Sequence, residues 1–392
     1  MGKFKALRFL FIVQGEGRGH MTQAIALKDE LEANGHSVIT TLIGTNKNRN
    51  IPAFLRKAMQ GNVHSFASPS FITDKRSKGI KILKTILYNL CRFALYLRSM
   101  RYIDKWMKEK KPDVIINFYD FLPGLYVKFY NPNCQYICIG HQYLAKHPDF
   151  PFAGGKVNKW LFQFTNFITS LGATNLIALS YRPYPFFADE KLIVSPPLLR
   201  AEIKNLKSES GEFYLAYMVY AGYGQDIIEW HSRNQEVKIE CFWNHPDHTE
   251  PFQPHPNLTF HPINDKLFLE KLSQCKAYIC TAGFESVCEA LYLNKQVMMV
   301  PVHGQYEQAC NALDASQIPT VIHQKNYSLD PLMKLTGSPY KQNLEHKEWI
   351  GSGANFIARS IENICAKAVK IEANEDSTFE GLIIGNSQAA TN

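Results

Sequence analysis

Short apolar runs alternate with helical patterns along most of this chain, and the alternation breaks once, near the middle. In the first half Leu7–Val13, Ser37–Ile43, Asp113–Phe118, Gln135–Ile139, Asn175–Leu179 and Lys191–Val194 read as strands. Between the first two, Met21–Asn34 carries Ala24, Leu27 and Leu31 on one helical face, with Gly35 placed to end it. Strands alternating with helices call for a parallel sheet covered on both faces, because a helical crossover brings the chain back in the same direction. The series stops at Ser195-Pro196-Pro197 and a polar stretch through Gly211. It resumes with strands at Phe213–Val219, Val237–Trp243, Lys276–Cys280 and Gln296–Pro301, a helix at Phe284–Leu293 and a last helical pattern over Lys347–Lys370. The expected fold is therefore α/β, two Rossmann-like doubly wound domains facing a cleft. Residues 1–197 form the first, 198–211 a linker, 212–371 the second with its closing helix, and 372–392 a polar tail read as disordered.

At 392 residues, 45% hydrophobic, two cores of ordinary size fit without a disulfide or metal staple. The nine cysteines form no CxxC pair and mostly lie in apolar runs such as Gln135–Ile139, which points to a reducing, cytoplasmic compartment. The apolar start is interrupted by Arg8 and runs into a glycine-rich turn without a small-residue cleavage site, so it reads as a buried strand and not a signal peptide. No run approaches the 18 or so apolar residues that span a bilayer.

Two motifs bear on chemistry. Gly15-Glu16-Gly17-Arg18-Gly19-His20 follows the first strand and opens the first helix, where glycines permit a tight turn and helix N–H groups attract anions. A dinucleotide fingerprint requires glycine where His20 stands and an acidic residue at the end of the second strand, which Ser37–Ile43 lacks. The second motif is Cys280-Thr281-Ala282-Gly283-Phe284-Glu285-Ser286-Val287-Cys288-Glu289-Ala290, followed by Pro301-Val302-His303-Gly304-Gln305-Tyr306-Glu307-Gln308-Ala309-Cys310-Asn311-Ala312. Strand, glycine turn and helix leave free N–H groups near Gly283, where a diphosphate can sit. Glu285 and Glu289 share a helical face, and a carboxylate there accepts from ribose hydroxyls.

Taken together, these motifs resemble the MurG-like glycosyltransferases, two-domain GT-B enzymes that use a nucleotide sugar. The resemblance implies that Thr281, Ala282, Gly283, Phe284, Glu285 and Ser286 surround the donor diphosphate and that Glu289 holds the ribose. It implies that Gln305, Glu307 and Gln308 reach the sugar hydroxyls and that Ile263 meets the base through its backbone. Gly222 stands in a loop, Val219–Gly224, that is less rich in small residues than the family's phosphate loop. Gly15, Gly17, Arg18 and Gly19 form the acceptor or phosphate loop of the first domain, with His20 facing the reacting centre.

Sugar transfer needs a base for the acceptor hydroxyl and stabilisation of the departing diphosphate. His20 has a suitable pKa and position; Asp120 and His141, each just past a strand, are the other candidate bases. No Asp-x-Asp occurs and His245-Pro246-Asp247-His248 lacks a further ligand, so neither metal nor cofactor is expected, and helix N–H groups would carry the leaving group. Of the net charge of +8, the segment 80–111 supplies +7, which argues against nucleic acid, whose binders spread basic residues over the fold. Leu83, Leu87, Leu90, Ala94 and Leu97 form an apolar stripe followed by Arg98, Arg101, Lys105 and Lys108, a pattern suited to an anionic membrane surface, with aromatics nearby in Trp160–Phe164. The expected partners are a nucleotide diphosphate-sugar, most simply uridine-linked, and a glycan or lipid-linked acceptor of the cell envelope, with inversion at the sugar. A nucleotide-sugar epimerase of the same plan and a non-catalytic nucleotide-sugar sensor are the alternatives.

Overall fold

The computed structural model describes residues 5–46, 51–70, 82–218, 220–337 and 343–368. The tail 372–392, the ends of the last helical pattern at 369–370 and residues 80–81 of the basic segment lie outside the described residues. Among the described residues the first domain holds seven parallel strands: β1 (Arg8–Gln14), β2 (Ser37–Thr45), β3 (Val63–Ala67), β4 (Val114–Phe118), β5 (Gln135–Ile139), β6 (Asn175–Leu179) and β7 (Leu192–Ser195). They pair in the order β3-β2-β1-β4-β5-β6-β7. The second holds β8 (Phe213–Met218), β9 (Lys238–Trp243), β10 (Phe252–His255), β11 (Leu258–Pro262), β12 (Ala277–Cys280), β13 (Gln296–Met299) and β14 (Val321–His323). Their order is β10-β11-β9-β8-β12-β13-β14, parallel except for the hairpin β10–β11. Two doubly wound sheets are what the alternation demanded.

The helices that frame the domain junction and the basic segment are α1 (Arg18–Ala33), α2 (Ile82–Cys91), α3 (Phe93–Lys110), α4 (Lys156–Thr169), α5 (Asp265–Gln274), α6 (Phe284–Tyr292) and α7 (Tyr306–Ala315). Helices on both faces bury Phe9, Leu10, Phe11, Ile12 and Val13 of β1 completely, which is why that strand reads as a continuous apolar run. One hydrophobic core passes from the first domain, through Phe9, Phe11 and Leu27, into the second, through Tyr278, Phe284 and Val287. Residues 353–368 are helical, and they tie the chain's end back to the first domain. Ile357 and Ile361 join the shared core, and Glu362 lies 3.0 Å from His36.

The basic segment differs from the single stripe its spacing suggests. It breaks at Arg92 into α2 and α3, and the buried face of α3 is Tyr96, Met100, Ile103 and Met107. Leu87 and Leu90 are turned out, 61% and 64% exposed. Among the described residues no helix is long and apolar enough to cross a membrane.

Candidate active site

The carboxyl ends of both sheets deliver loops to the junction between the domains, and a cavity of about 990 Å³ opens there. Gly17, Arg18 and Gly19 line it from the first domain; Ile263, Gly283, Glu285, Ser286 and Glu289 line it from the second. The two sequence motifs therefore face each other across one space. Arg18 on α1 and Asp265 on α5, both in its lining, form a salt bridge 2.5 Å long with both side chains about half exposed.

The second motif is built by an unusual backbone. Ala282 takes φ +60°, a left-handed conformation costing an L residue about 1–2 kcal/mol. The Asn311 amide donates to its carbonyl at 3.2 Å and holds the turn. The chain is thereby aimed so that Gly283 caps α6 at the cavity wall, while Thr281 is buried behind it. Phe284 opens α6 and is buried between two first-domain rings: His141, stacked at 4.5 Å with 2° between planes, and Tyr181 at 4.5 Å. A Cβ on Gly19 would meet the Glu285 carboxyl, which lies directly against this turn.

His20, in the first turn of α1, is 8% exposed and lies against the Tyr119 ring, centroids 5.8 Å apart. Its Nδ1 is 3.2 Å from Gln23 Oε1. Burial lowers its pKa below the ordinary histidine value, opposed by the Glu285 charge, so the ring is neutral at neutral pH. His141, after β5, is also buried and lies beside Glu307 on α7, with Nε2 3.0 Å from the carboxylate. Gln142 donates to the same Glu307 oxygen at 3.3 Å. Burial pushes Glu307 up, but His141, His20 and Gln142 together outweigh it and hold the carboxyl below its usual range.

Asp120 is turned away from this group. It accepts from Ser68 Oγ at 2.9 Å and from the Leu122 N–H at 3.0 Å, and burial pushes its carboxyl up to about 7. Its second oxygen occupies the space where a Cβ on Gly44 would be. Of the three candidate bases, His20 and His141 lie among the interdomain carboxylates Glu285 and Glu307, while the partners of Asp120 all belong to the first domain; none of the three is among the residues that line the cavity.

Glu289 is 3% exposed and engaged with Arg200, a residue of the segment between the domains. Arg200 Nε donates at 2.6 Å and Nη2 at 2.8 Å, a bidentate pair. Burial raises the Glu289 carboxyl despite this partner. Gln308 Oε1 accepts from the Val302 N–H at 2.9 Å and closes the loop after β13, and Gln305 precedes α7 as its cap. Gly222 lies in the turn Ala221–Tyr223 and is not part of the cavity wall; the Tyr223 hydroxyl there accepts from the His303 N–H at 3.2 Å. Sequence reasoning missed Gln23, Arg200 and Asp265. The first stands three residues from His20 on one helix, a spacing that places the two side chains together; the other two are joined to the site only by the fold. Among the described residues no three His, Cys, Asp or Glu side chains are grouped to hold a metal ion.

A family model described as glycosyl transferase family 1 matches residues 7–332. No curated protein matches the sequence. Among solved structures, the glycotransferase of kitacinnamycin is 14% identical, with TM-score 0.62, over 92% of this chain and 100% of that one. CalG4, the calicheamicin glycosyltransferase, is 13% identical, with TM-score 0.61, over 92% and 99%. Arabidopsis thaliana UGT89C1 has been solved with quercetin and with UDP; the quercetin complex is 10% identical, with TM-score 0.62, over 92% and 100%. These likenesses show the fold, two parallel-sheet domains of the GT-B kind. With its family model spanning most of the chain, this protein belongs to glycosyl transferase family 1 and is a glycosyltransferase.

Proposed function

We propose that the protein is a MurG-like transferase that moves a hexose or N-acetylhexosamine from a nucleotide diphosphate-sugar, most simply UDP-linked, to a glycolipid or cell-envelope glycan precursor, without metal and with inversion. The observation that carries this reading is the single cavity lined by both motifs, with the N-terminus of α6 at its wall. The donor diphosphate lies against Gly283 and Ser286, where N–H groups without helical partners offset its charge. The base meets Ile263, the ribose meets Glu289, whose bond to Arg200 leaves further oxygen lone pairs as acceptors, and the sugar faces Gln305 and Glu307. His20 takes the proton of the acceptor hydroxyl as its oxygen bonds to the anomeric carbon, the bond to the diphosphate breaks, and the imidazolium is left beside Glu285 and Glu307. One displacement with one base inverts the sugar.

Exposed apolar side chains support a lipid acceptor and peripheral contact with the inner face of the plasma membrane. α2 and α3 expose Ile86, Leu87, Leu90 and Phe93, and α4 exposes Val157, Trp160, Phe164 and Phe167, each at least 47% accessible. Arg98, Arg101, Lys105 and Lys108 are also exposed along α3. The test is product analysis with labelled UDP-glucose and UDP-N-acetylglucosamine, with and without a bacterial envelope lipid extract. Label moving into the lipid phase is expected; an epimerised sugar nucleotide formed without acceptor would assign the epimerase reading instead.

A further inference from the structure

His20 is a buried ring whose usefulness as a base depends on which nitrogen carries the proton. Gln23, one turn along α1 and 1% exposed, settles that question. Its amide lies between two groups: Oε1 is 3.2 Å from His20 Nδ1, and Nε2 donates to Oε1 of Glu285 across the domain boundary. A carboxylate only accepts, so the amino end of the Gln23 amide faces Glu285 and the carbonyl end faces the ring. A carbonyl also only accepts, so the proton sits on Nδ1 and Nε2 keeps its lone pair. The Glu285 carboxyl lies directly against the backbone of Gly19, in the same turn as His20. Asp120, the carboxylate after β4, accepts from Ser68 and Leu122 through Oδ1, and its Oδ2 lies against Gly44.

We propose that Gln23 and Glu285 are positioning residues for His20, a hydrogen-bonded relay that crosses the domain boundary and fixes the ring as the Nδ1–H tautomer. The relay rests on the reading of His20 as the base. It makes that base a product of domain apposition, because His20 and Gln23 belong to α1 and Glu285 to α6. The titratable groups facing His20 are Glu285 from α6, His141 from the turn after β5 and Glu307 from α7, and the Tyr119 ring covers it from the end of β4.

Long-range ¹H–¹⁵N spectra of the imidazoles test the relay without any ligand, the His20 signals being assigned by their loss in His20→Ala. The wild type is expected to show the Nδ1–H tautomer for His20. Glu285→Gln removes the opposing charge and should lower the His20 titration midpoint by about one unit. Gln23→Leu should let the Nε2–H tautomer appear, with the other imidazole signals unchanged as a check on folding. A wild-type ring protonated mainly on Nε2, or an unchanged tautomer and midpoint in both variants, would overturn the relay. The base reading is tested separately by UDP release from UDP-glucose with water as acceptor. A His20→Ala rate equal to wild type removes the base, whatever the tautomer shows; a lost rate with unmoved tautomers removes only the relay.

Discussion

A histidine 8% exposed, with its pKa lowered by burial, enters a reaction as the free base over most of the physiological range. The acid limb of kcat/KM should therefore lie below the ordinary histidine value of about 6.5, with activity lost as pH falls through it. His20→Ala should lower kcat by about 10²–10⁴-fold and abolish that limb while leaving donor affinity nearly unchanged. Full kcat with an intact limb would remove His20 from this role. Glu289 carries a different burden. Its carboxylate is buried and paired in two places with Arg200, so Glu289→Ala leaves an uncompensated guanidinium and should destabilise the fold by about 3–5 kcal/mol. Denaturant unfolding measures this directly, and a loss under about 1 kcal/mol would show that the pair is not a structural clamp. Donor binding is better probed with Glu289→Gln, which keeps the shape.

At the scale of elements, the central strands were readable because they are buried on both faces: β1, β4, β5, β8 and β12 are near-continuous apolar runs. The strands that escaped notice are at or near sheet edges. β3 is Val-His-Ser-Phe-Ala, β10 is Phe-Gln-Pro-His and β14 has three residues, and none needs an apolar face on both sides. The left-handed Ala282 was equally hidden, since nothing in the letters distinguishes it from an ordinary alanine. For α2 and α3 the residues of the apolar stripe were visible in the sequence, but the direction that Leu87 and Leu90 face was not. Periodicity marks an amphipathic face without saying whether protein, lipid or water covers it. Replacing Arg98, Arg101, Lys105 and Lys108 with Gln should weaken binding to vesicles containing anionic lipid, by about 1 kcal/mol per residue near the surface. Sedimentation with such vesicles reads the effect, and equal binding by both proteins would return these helices to the category of solvated surface.

Over the whole molecule, the two domains share one hydrophobic core and are further joined by Arg18–Asp265, Gln23–Glu285, His141–Phe284 and Arg182–Asp314. None of these pairings could be read from either half alone. The motifs named the loops, and the fold brought them to one cavity, where Arg200 pairs with Glu289 and, beside it, Gln23 meets Glu285, partners that sequence distance concealed. Occupancy of that cavity by a nucleotide diphosphate is the central claim. Its most direct measurement is unfolding of the purified protein against UDP, TDP, GDP and their sugars. A nucleotide at 100 times its dissociation constant adds about 2.7 kcal/mol of apparent stability. One nucleotide family should stabilise the wild type and lose most of that effect with Glu289→Gln, while a protein indifferent to every member of the panel would contradict the assignment of the cavity as a donor site.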